Sequence, residues 1–317
     1  MGREEVGDLV GRCATLAALL EVSAYPKPGN IHRLRDTPGT RYEHFLAGSV
    51  AIGPAMRRLA LKGYDARRGA LDWRGIGLGA RVLEAVKDTL SWQGGGNVNM
   101  GVVLLLAPLA AAGGSAAHGD AYVDVKGLRR ALRRVIRSTT PEDAVAVYEA
   151  IRLAVPAGVL GEVEELDVAD DSAIEQIRRE GLTLLDVFHR CAQRDSICGE
   201  WASDFEATFT VGYPYLRGAL EVSGDINYAV VDTFLLLLSE RPDSLIRRKS
   251  GIEKALEVSE KAGEALAAGG ASSEASRTLL WSLDRELHEA GGMLNPGTTA
   301  DLTAASIFVL LLEGWRP

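Results

Sequence analysis

Only three cysteines, Cys13, Cys191 and Cys198, occur in the 317 residues, and aromatic residues make up 6%. An odd, small number of thiols without metal-ligand spacing excludes a disulfide-built scaffold and a zinc module. The expectation is a reducing, cytoplasmic environment, with Cys191 and Cys198 as buried small hydrophobes. Net positive charge is also lacking: 35 Lys and Arg stand against 43 Asp and Glu, a formal charge of -8. That argues against a nucleic-acid-binding surface and still leaves room for a local basic pocket that takes a phosphorylated small molecule. Long apolar runs are absent as well. Val102 to Ala112 is too short to span a bilayer and contains Pro108, so no membrane partner is expected. The first residues, with Arg3, Glu4 and Glu5 ahead of an amphipathic pattern, do not read as a signal peptide.

Alternating runs rich in β-branched residues are missing too, which leaves no strand to assign. Apolar residues instead recur at helical spacing along most of the chain. The pattern predicts helices over Val6–Val22, Glu43–Leu61, Trp73–Leu90, Asn99–Ala112, Ala173–Asp195, Ile197–Thr210, Ile226–Ser239, Asp243–Ala268, Ser273–Ala290 and Thr298–Glu313. Thr140-Pro141-Glu142-Asp143 adds a strong start for a helix reaching Ala154: a capping Thr, Pro at the first position, acids in the first turn. Gly113 to Gly119 reads as a small-residue loop, and Pro156 to Ser172 as an acidic one. The carboxylates Glu162, Glu164, Glu165, Asp167, Asp170 and Asp171 there either take a divalent cation or remain solvated, with Asp170, Asp171 or Ser172 capping the next helix. No repeat or linker divides the chain. The reading is an all-α protein with one multi-helix domain over residues 1–317.

Four polar stretches interrupt the helical background. In Tyr25-Pro26-Lys27-Pro28-Gly29-Asn30-Ile31-His32-Arg33, two prolines and a glycine stiffen the loop after the first helix. Lys27, His32 and Arg33 on such a loop suit a polyphosphate. In Gln93-Gly94-Gly95-Gly96-Asn97-Val98-Asn99-Met100-Gly101, three successive glycines cost backbone entropy and give close access to the main chain, while Asn97 and Asn99 offer amides. It is not a Walker A loop, because no Gly-Lys-Ser/Thr follows. Pro242-Asp243-Ser244 leads into Arg247-Arg248-Lys249: Asp243 either caps its helix or binds metal, and the basic triplet either faces solvent or meets phosphate. In Asn295-Pro296-Gly297-Thr298-Thr299-Ala300-Asp301-Leu302, a turn enters a helix with hydroxyls and a carboxylate in its first turn, near free N–H groups that favour an anion.

These stretches resemble those of the triphosphoribosyl-dephospho-CoA synthase family, of a divergent, archaeal-type branch. Pro26-Lys27-Pro28-Gly29 matches the family's Pro-Lys-Pro-Gly, and Gly95 to Gly101 is similar to its Gly-Val-Asn-Thr-His-Lys-Gly. Gly212-Tyr213-Pro214 is similar to its Gly-Phe-Pro, and Asp243-Ser244 with Arg248-Lys249 resembles its Asp-Thr-Asn…Arg-Gly. Pro296-Gly297 with Ala300-Asp301-Leu302 matches its Ser-Pro-Gly-Gly-Ser-Ala-Asp-Leu. Two departures stand out. Val98, Asn99 and Met100 replace the family's Thr, His and Lys, and Glu43 and His44 fall where its paired Asp-Met signature would be.

The resemblance implies an all-helical transferase that uses ATP with Mg²⁺. It would move the triphosphoribosyl unit of ATP to a ribose hydroxyl of dephospho-CoA, or of a related acceptor, and release adenine. It makes Asp301, Glu43 and His44 the candidate catalytic groups and Asp301 and Asp243 the candidate metal ligands. The nucleotide would be held by Lys27, Gly29, Asn30, His32, Arg33, Gly95, Gly96, Asn97, Asn99, Arg248, Lys249, Thr298 and Thr299. Two other classes stay open: a helical nucleotide-binding protein without turnover, and a metal-dependent nucleotide or ribosyl hydrolase. Homo-oligomer formation is open as well.

Overall fold

The computed structural model describes residues 1–117, 122–155 and 166–317. Glu162, Glu164 and Glu165 of the acidic segment lie outside them. Among the described residues the chain is helical throughout, with fifteen α-helices and no strand. The first six are α1 (Arg3–Ser23), α2 (Tyr42–Arg67), α3 (Leu78–Trp92), α4 (Met100–Ala116), α5 (Val125–Arg137) and α6 (Pro141–Ala154). Next come α7 (Asp171–Glu180), α8 (Leu184–Cys191), α9 (Ser196–Ala202), α10 (Tyr213–Ser223) and α11 (Ile226–Glu240). The chain closes with α12 (Ser244–Ser250), α13 (Ile252–Ala267), α14 (Glu274–Glu289) and α15 (Gly297–Glu313).

The two helices that are apolar on all sides form the centre, as a helix without a polar face must. Every residue of α4 except Gly101 is buried, as is nearly all of α15 after Asp301. Helices α1, α2, α3 and α5 pack on α4, and α1, α10 and α11 on α15. The result is one continuous apolar cluster drawn from all parts of the chain. Gly113 to Ala116, read from sequence as loop, continues α4. Small residues there serve contact rather than flexibility: a Cβ on Gly114 would overlap the Ala60 carbonyl of α2.

Capping explains most of the boundaries that periodicity misplaced. The predicted helix over Ala173–Asp195 is two helices, α7 and α8, separated at left-handed Gly181 and restarted by a Thr183–Asp186 capping box. Asp195 does not end that helix. It begins α9, accepting from the N–H groups of Ile197 (2.9 Å) and Cys198 (3.2 Å). The predicted Asp243–Ala268 helix breaks at Gly251. Two helices went unpredicted, α5 and α10. The first is Arg-rich, and the second grows from a π-helical turn over Thr208–Gly212. That turn is tied down by Glu200, a buried carboxylate that accepts from the N–H groups of Ala207 (2.8 Å) and Thr208 (2.9 Å). Asp170 caps α7, the solvated alternative for that acid.

One cysteine expectation needs correction. Cys191 and Cys198 form a disulfide, with Cα atoms 5.7 Å apart, and only Cys13 is free. The corner between α8 and α9 brings the two residues together. A separation of seven residues in a pattern read as almost unbroken helix gave no sign of that corner. No helix among the described residues is long and apolar enough to cross a membrane.

Candidate functional site

The N-terminal ends of α4 and α15 meet on one side of the molecule, at a cleft of about 250 Å³. Its polar lining comes from six places: Glu21 of α1, Asn30 of the following loop, Asn97 and Asn99 of the glycine loop, Asp195 before α9, Arg248 of α12, and Asn295, Thr298 and Asp301 around the start of α15. Phe45, Ile151, Phe188 and Leu245 supply apolar wall. Four sequence-distant polar stretches thus converge, because each is a break between helices whose starts face a common point. The positive dipole ends of two long helices make such a point receptive to anions.

Asp301 is the centre of this arrangement. Its carboxyl is raised well above the usual carboxylate range, first by burial and then by the charges of Glu21, Asp243 and Asp195; a hydrogen bond from the Val102 N–H, in the first turn of α4, opposes this. A Cβ on Gly101 would overlap Asp301 Oδ2, so the carboxylate rests directly on the backbone of α4. The glycine that sequence reading placed at the end of the glycine loop is therefore the seat of the candidate catalytic acid.

Lys27 does not extend from its loop. It is fully buried (0% exposed), ion-paired with Glu21 and bonded to Asn30 Oδ1 (3.0 Å). Burial lowers the Lys27 ammonium and raises the Glu21 carboxyl, while each charge partly restores the other. Asn30 in turn donates to Asn295 Oδ1 (2.9 Å), so the first motif and the last are joined through it. Arg33 is spent on the Ser23 carbonyl (2.7 Å) and stacks over Tyr25 (4.3 Å), away from the cleft. His32 is fully buried beside Asp284.

The other predicted binding residues divide in the same way. Asn97, Asn99, Arg248 and Thr298 line the cleft. Arg248 lies 3.5 Å from Asp195. Asn99 takes a left-handed φ of 61° at the start of α4 and donates to Ser49 Oγ (3.2 Å). Ser244 Oγ donates to Thr298 Oγ1 (3.0 Å) and accepts from the Ser196 N–H (3.2 Å), stapling together the starts of α9, α12 and α15. Thr299 belongs to the same staple. Its N–H and Oγ1 donate to Asp243 Oδ2 (2.7 and 2.8 Å), while Asp243 Oδ1 accepts from the N–H groups of Leu245 (2.8 Å) and Ile246 (3.1 Å). Asp243 is 2% exposed and its oxygens are occupied. It caps two helices and touches the cleft only through its charge. Lys249 points to the Gly292 carbonyl (3.1 Å).

Within the glycine loop, the close approach is to His44. A Cβ on Gly95 would overlap that ring, whereas Gly96, at a φ of 75°, has open space around it. Thr40 and Gln93 hold the loop at the carbonyls of Gly95 and Gly96 (2.8 Å each). His44 Nδ1 accepts from the Arg41 N–H (3.0 Å), and Glu43 is exposed beside Arg41. Neither lines the cleft. Glu21 and Asp195 do, and the sequence reading missed both. Asp195-Ser196 carries a recognisable capping signal, but Glu21 sits inside an amphipathic helix with nothing local to mark it.

Comparison with known proteins covers nearly the whole chain. The family model described as CitG, ATP:dephospho-CoA triphosphoribosyl transferase, matches residues 8–317. A Vibrio cholerae protein named probable 2-(5''-triphosphoribosyl)-3'-dephosphocoenzyme-A synthase is 25% identical over 306 residues, 94% of this chain and 86% of that one. The 2-(5''-triphosphoribosyl)-3'-dephosphocoenzyme-A synthase of Klebsiella pneumoniae is 24% identical over 317 residues, covering 98% and 91%. A crystal structure of an Archaeoglobus fulgidus protein assigned as a triphosphoribosyl-dephospho-CoA synthase superposes with a TM-score of 0.62 at 29% identity. The match covers 86% of this chain and all of that one.

Proposed function

Because the chain belongs to the ATP:dephospho-CoA triphosphoribosyl transferase family, we propose that the cleft around Asp301 transfers the triphosphoribosyl unit of ATP to a hydroxyl of dephospho-CoA and releases adenine. The observation that carries this reading is the placement of Asp301: a desolvated carboxylate at the meeting of two helix starts, in a cleft that also holds Arg248 and four asparagines. The single apolar cluster supports reading residues 1–317 as one domain.

The chemistry asks for two opposite things in one place. As the bond from the ribose to adenine breaks, positive charge grows on the sugar, and a fixed carboxylate in a low-dielectric site stabilises it. Asp301 is the group set for this, with Asp195 and Glu21 adding negative charge nearby. The triphosphate brings the other sign, and it meets Arg248 and the helix starts. The attacking hydroxyl must lose a proton, and the cleft carboxylates are the bases available to take it. Glu43 and His44 stand outside the cleft lining, so this reading rests on Asp301 in place of all three.

Mg²⁺ fits the site in a limited way. No three His, Cys, Asp or Glu side chains among the described residues form a metal cluster, yet Asp301 is crowded by three other carboxylates. Mg²⁺ characteristically binds through one or two carboxylates plus substrate phosphates. Asp301 would hold it, and the ion would screen both the triphosphate and the acid crowd. Asp243 has no free oxygen to contribute.

Incubation with Mg-ATP and dephospho-CoA, followed by chromatography, should show free adenine formed in proportion to acceptor consumed. Adenine appearing at the same rate without acceptor would mean hydrolysis. A melting temperature raised by Mg-ATP with no adenine under any condition would mean binding alone. Stabilisation by ligand should reach about 2.7 kcal/mol at a hundred times the Kd.

A second expectation concerns the seat of Asp301. Gly101→Ala should displace the carboxylate and lower the rate of adenine release by about tenfold or more, at a stability cost of about 1–3 kcal/mol for overpacking. Wild-type turnover in this variant would show that the contact between Gly101 and Asp301 is not needed for the chemistry.

A further inference from the structure

Outside the cleft, the least explained buried group is Asp284. It stands on the face of α14 that also carries Trp281, Leu287 and His288, and it is completely buried (0% exposed). An isolated buried carboxylate is costly unless it is paired and hydrogen-bonded. Here His288 Nδ1 lies 3.1 Å and His32 Nε2 3.5 Å from Oδ1, with Arg35 3.7 Å from Oδ2. The rings stack edge-on around it, His32 against Trp281 at 6.0 Å and against His288 at 6.2 Å. His32 Nδ1 accepts from the Leu34 N–H (3.3 Å), which puts the proton of the neutral ring on Nε2, toward Asp284. Burial alone would raise the Asp284 carboxyl, but the contacts to His288 and His32 outweigh it and hold the group down to about 2.

The same carboxylate reaches the first motif. Asp284 Oδ1 accepts from the N–H of Gly29 at 3.2 Å. Gly29 has a φ of 74°, and a Cβ there would meet Leu287 Cβ at 2.7 Å and the Leu294 carbonyl at 2.8 Å, so the loop is pressed onto α14 at this point. One residue further on, Asn30 bonds both Lys27 and Asn295 and lines the cleft. Lys27 is itself the partner of Glu21, another residue of the lining.

We propose that Asp284 is a positioning residue: through the Gly29 N–H it sets the Lys27–Asn30 loop, and with it Asn30 and the Lys27–Glu21 pair, at the edge of the nucleotide cleft. His32 and His288 keep the carboxylate oriented and ionised. Asp284 itself touches neither the cleft nor the reacting atoms. This assignment rests on the cleft being the nucleotide site.

The test compares wild type with Asp284→Asn and His288→Gln by three measurements on each preparation. Hydrogen exchange of the peptide covering 25–32, without ligand, reads the loop directly. Asp284→Asn keeps an oxygen that can accept from Gly29 but loses its charge, so it should exchange faster there than wild type by about fivefold to tenfold, the difference between a charged and a neutral acceptor, while α4 and α15 keep their protection. Steady-state kinetics should show the KM for ATP raised by roughly the same factor with kcat changed much less, a split that uniform loss of stability does not produce. His288→Gln should shift both in the same direction by less. A folded Asp284→Asn protein with unchanged 25–32 exchange, or with unchanged KM, overturns the proposal. If Asp284→Asn does not fold, His288→Gln decides, and wild-type exchange and KM in that variant overturn it. If wild type binds Mg-ATP but releases no adenine, the proposed activity fails and the positioning role is read from the Kd for ATP. If wild type does not bind ATP at all, the nucleotide cleft fails while the exchange comparison still tests the anchor.

Discussion

Asp301→Asn should lower the rate of adenine release by about two orders of magnitude or more, with the melting temperature shifted by a few degrees at most. The substitution keeps the shape of the side chain and its place on Gly101. It removes the negative charge that a developing ribosyl cation would use. It also removes charge repulsion from Glu21, Asp243 and Asp195, so the folded state should lose little and is free to gain. A cap residue behaves differently: losing an N-cap costs about 1 kcal/mol and leaves catalysis alone. Activity and melting measured on one preparation separate the two cases, and a variant that keeps most of its turnover would end the catalytic assignment.

The same residue predicts a pH dependence. The ionised form is the working form, and the carboxyl titrates well above the ordinary carboxylate range. The acid limb of the rate profile should therefore lie above that range. Raising Mg²⁺ should move it to lower pH, since a nearby cation favours the carboxylate. A limb at the ordinary carboxylate position, insensitive to Mg²⁺, would contradict this.

Lys27→Met is expected to be the most destabilising single change in the first motif, at about 3–5 kcal/mol. The reason is the partner left behind. Glu21 would be a buried carboxylate without its cation, and burial already raises that group in the intact pair. The sign of the pH effect follows. With Lys27 gone, folded Glu21 holds its proton to higher pH than unfolded Glu21 does. Between the unfolded and folded values the native state binds more protons, so stability falls as pH rises. The defect should thus be smallest in acid and grow toward neutral pH. Glu21→Gln combined with Lys27→Met should recover much of the loss, because replacing both charges removes the uncompensated one. Denaturant melts of the two single variants and the double variant across pH would check this, and additive losses in the double variant would refute it.

What the chain alone determined follows from local physics. Apolar spacing near 3.6 residues, an all-apolar stretch at Val102 to Ala112 and the Thr140–Asp143 start were enough for an all-helical protein and for most of its long helices. The Pro-Lys-Pro-Gly and Ala-Asp-Leu motifs carried the family resemblance, and four of the breaks between helices that were singled out do meet at one cleft. Helix ends were less legible. Asp195, Thr183 and Gly251 end or restart helices by caps and dihedrals that an amphipathic pattern runs straight through.

Only the tertiary structure decided which polar residues face the cleft. Lys27, His32 and Arg33 read as a basic trio suited to a polyphosphate, but burial against Glu21 and Asp284 removes two of them from solvent, and Ser23 and Tyr25 hold the third. Glu21 and Asp195 enter the site from helices whose sequence gives no sign of chemistry. Asp243 and Asp301 lie in equally plausible motifs, yet one has every oxygen occupied by helix starts and the other rests on a bare glycine backbone. The disulfide between Cys191 and Cys198 likewise depends on a corner between two helices. In each case the deciding quantity is a distance between residues far apart in the chain, or across a turn, and side-chain periodicity along one helix holds no information about it.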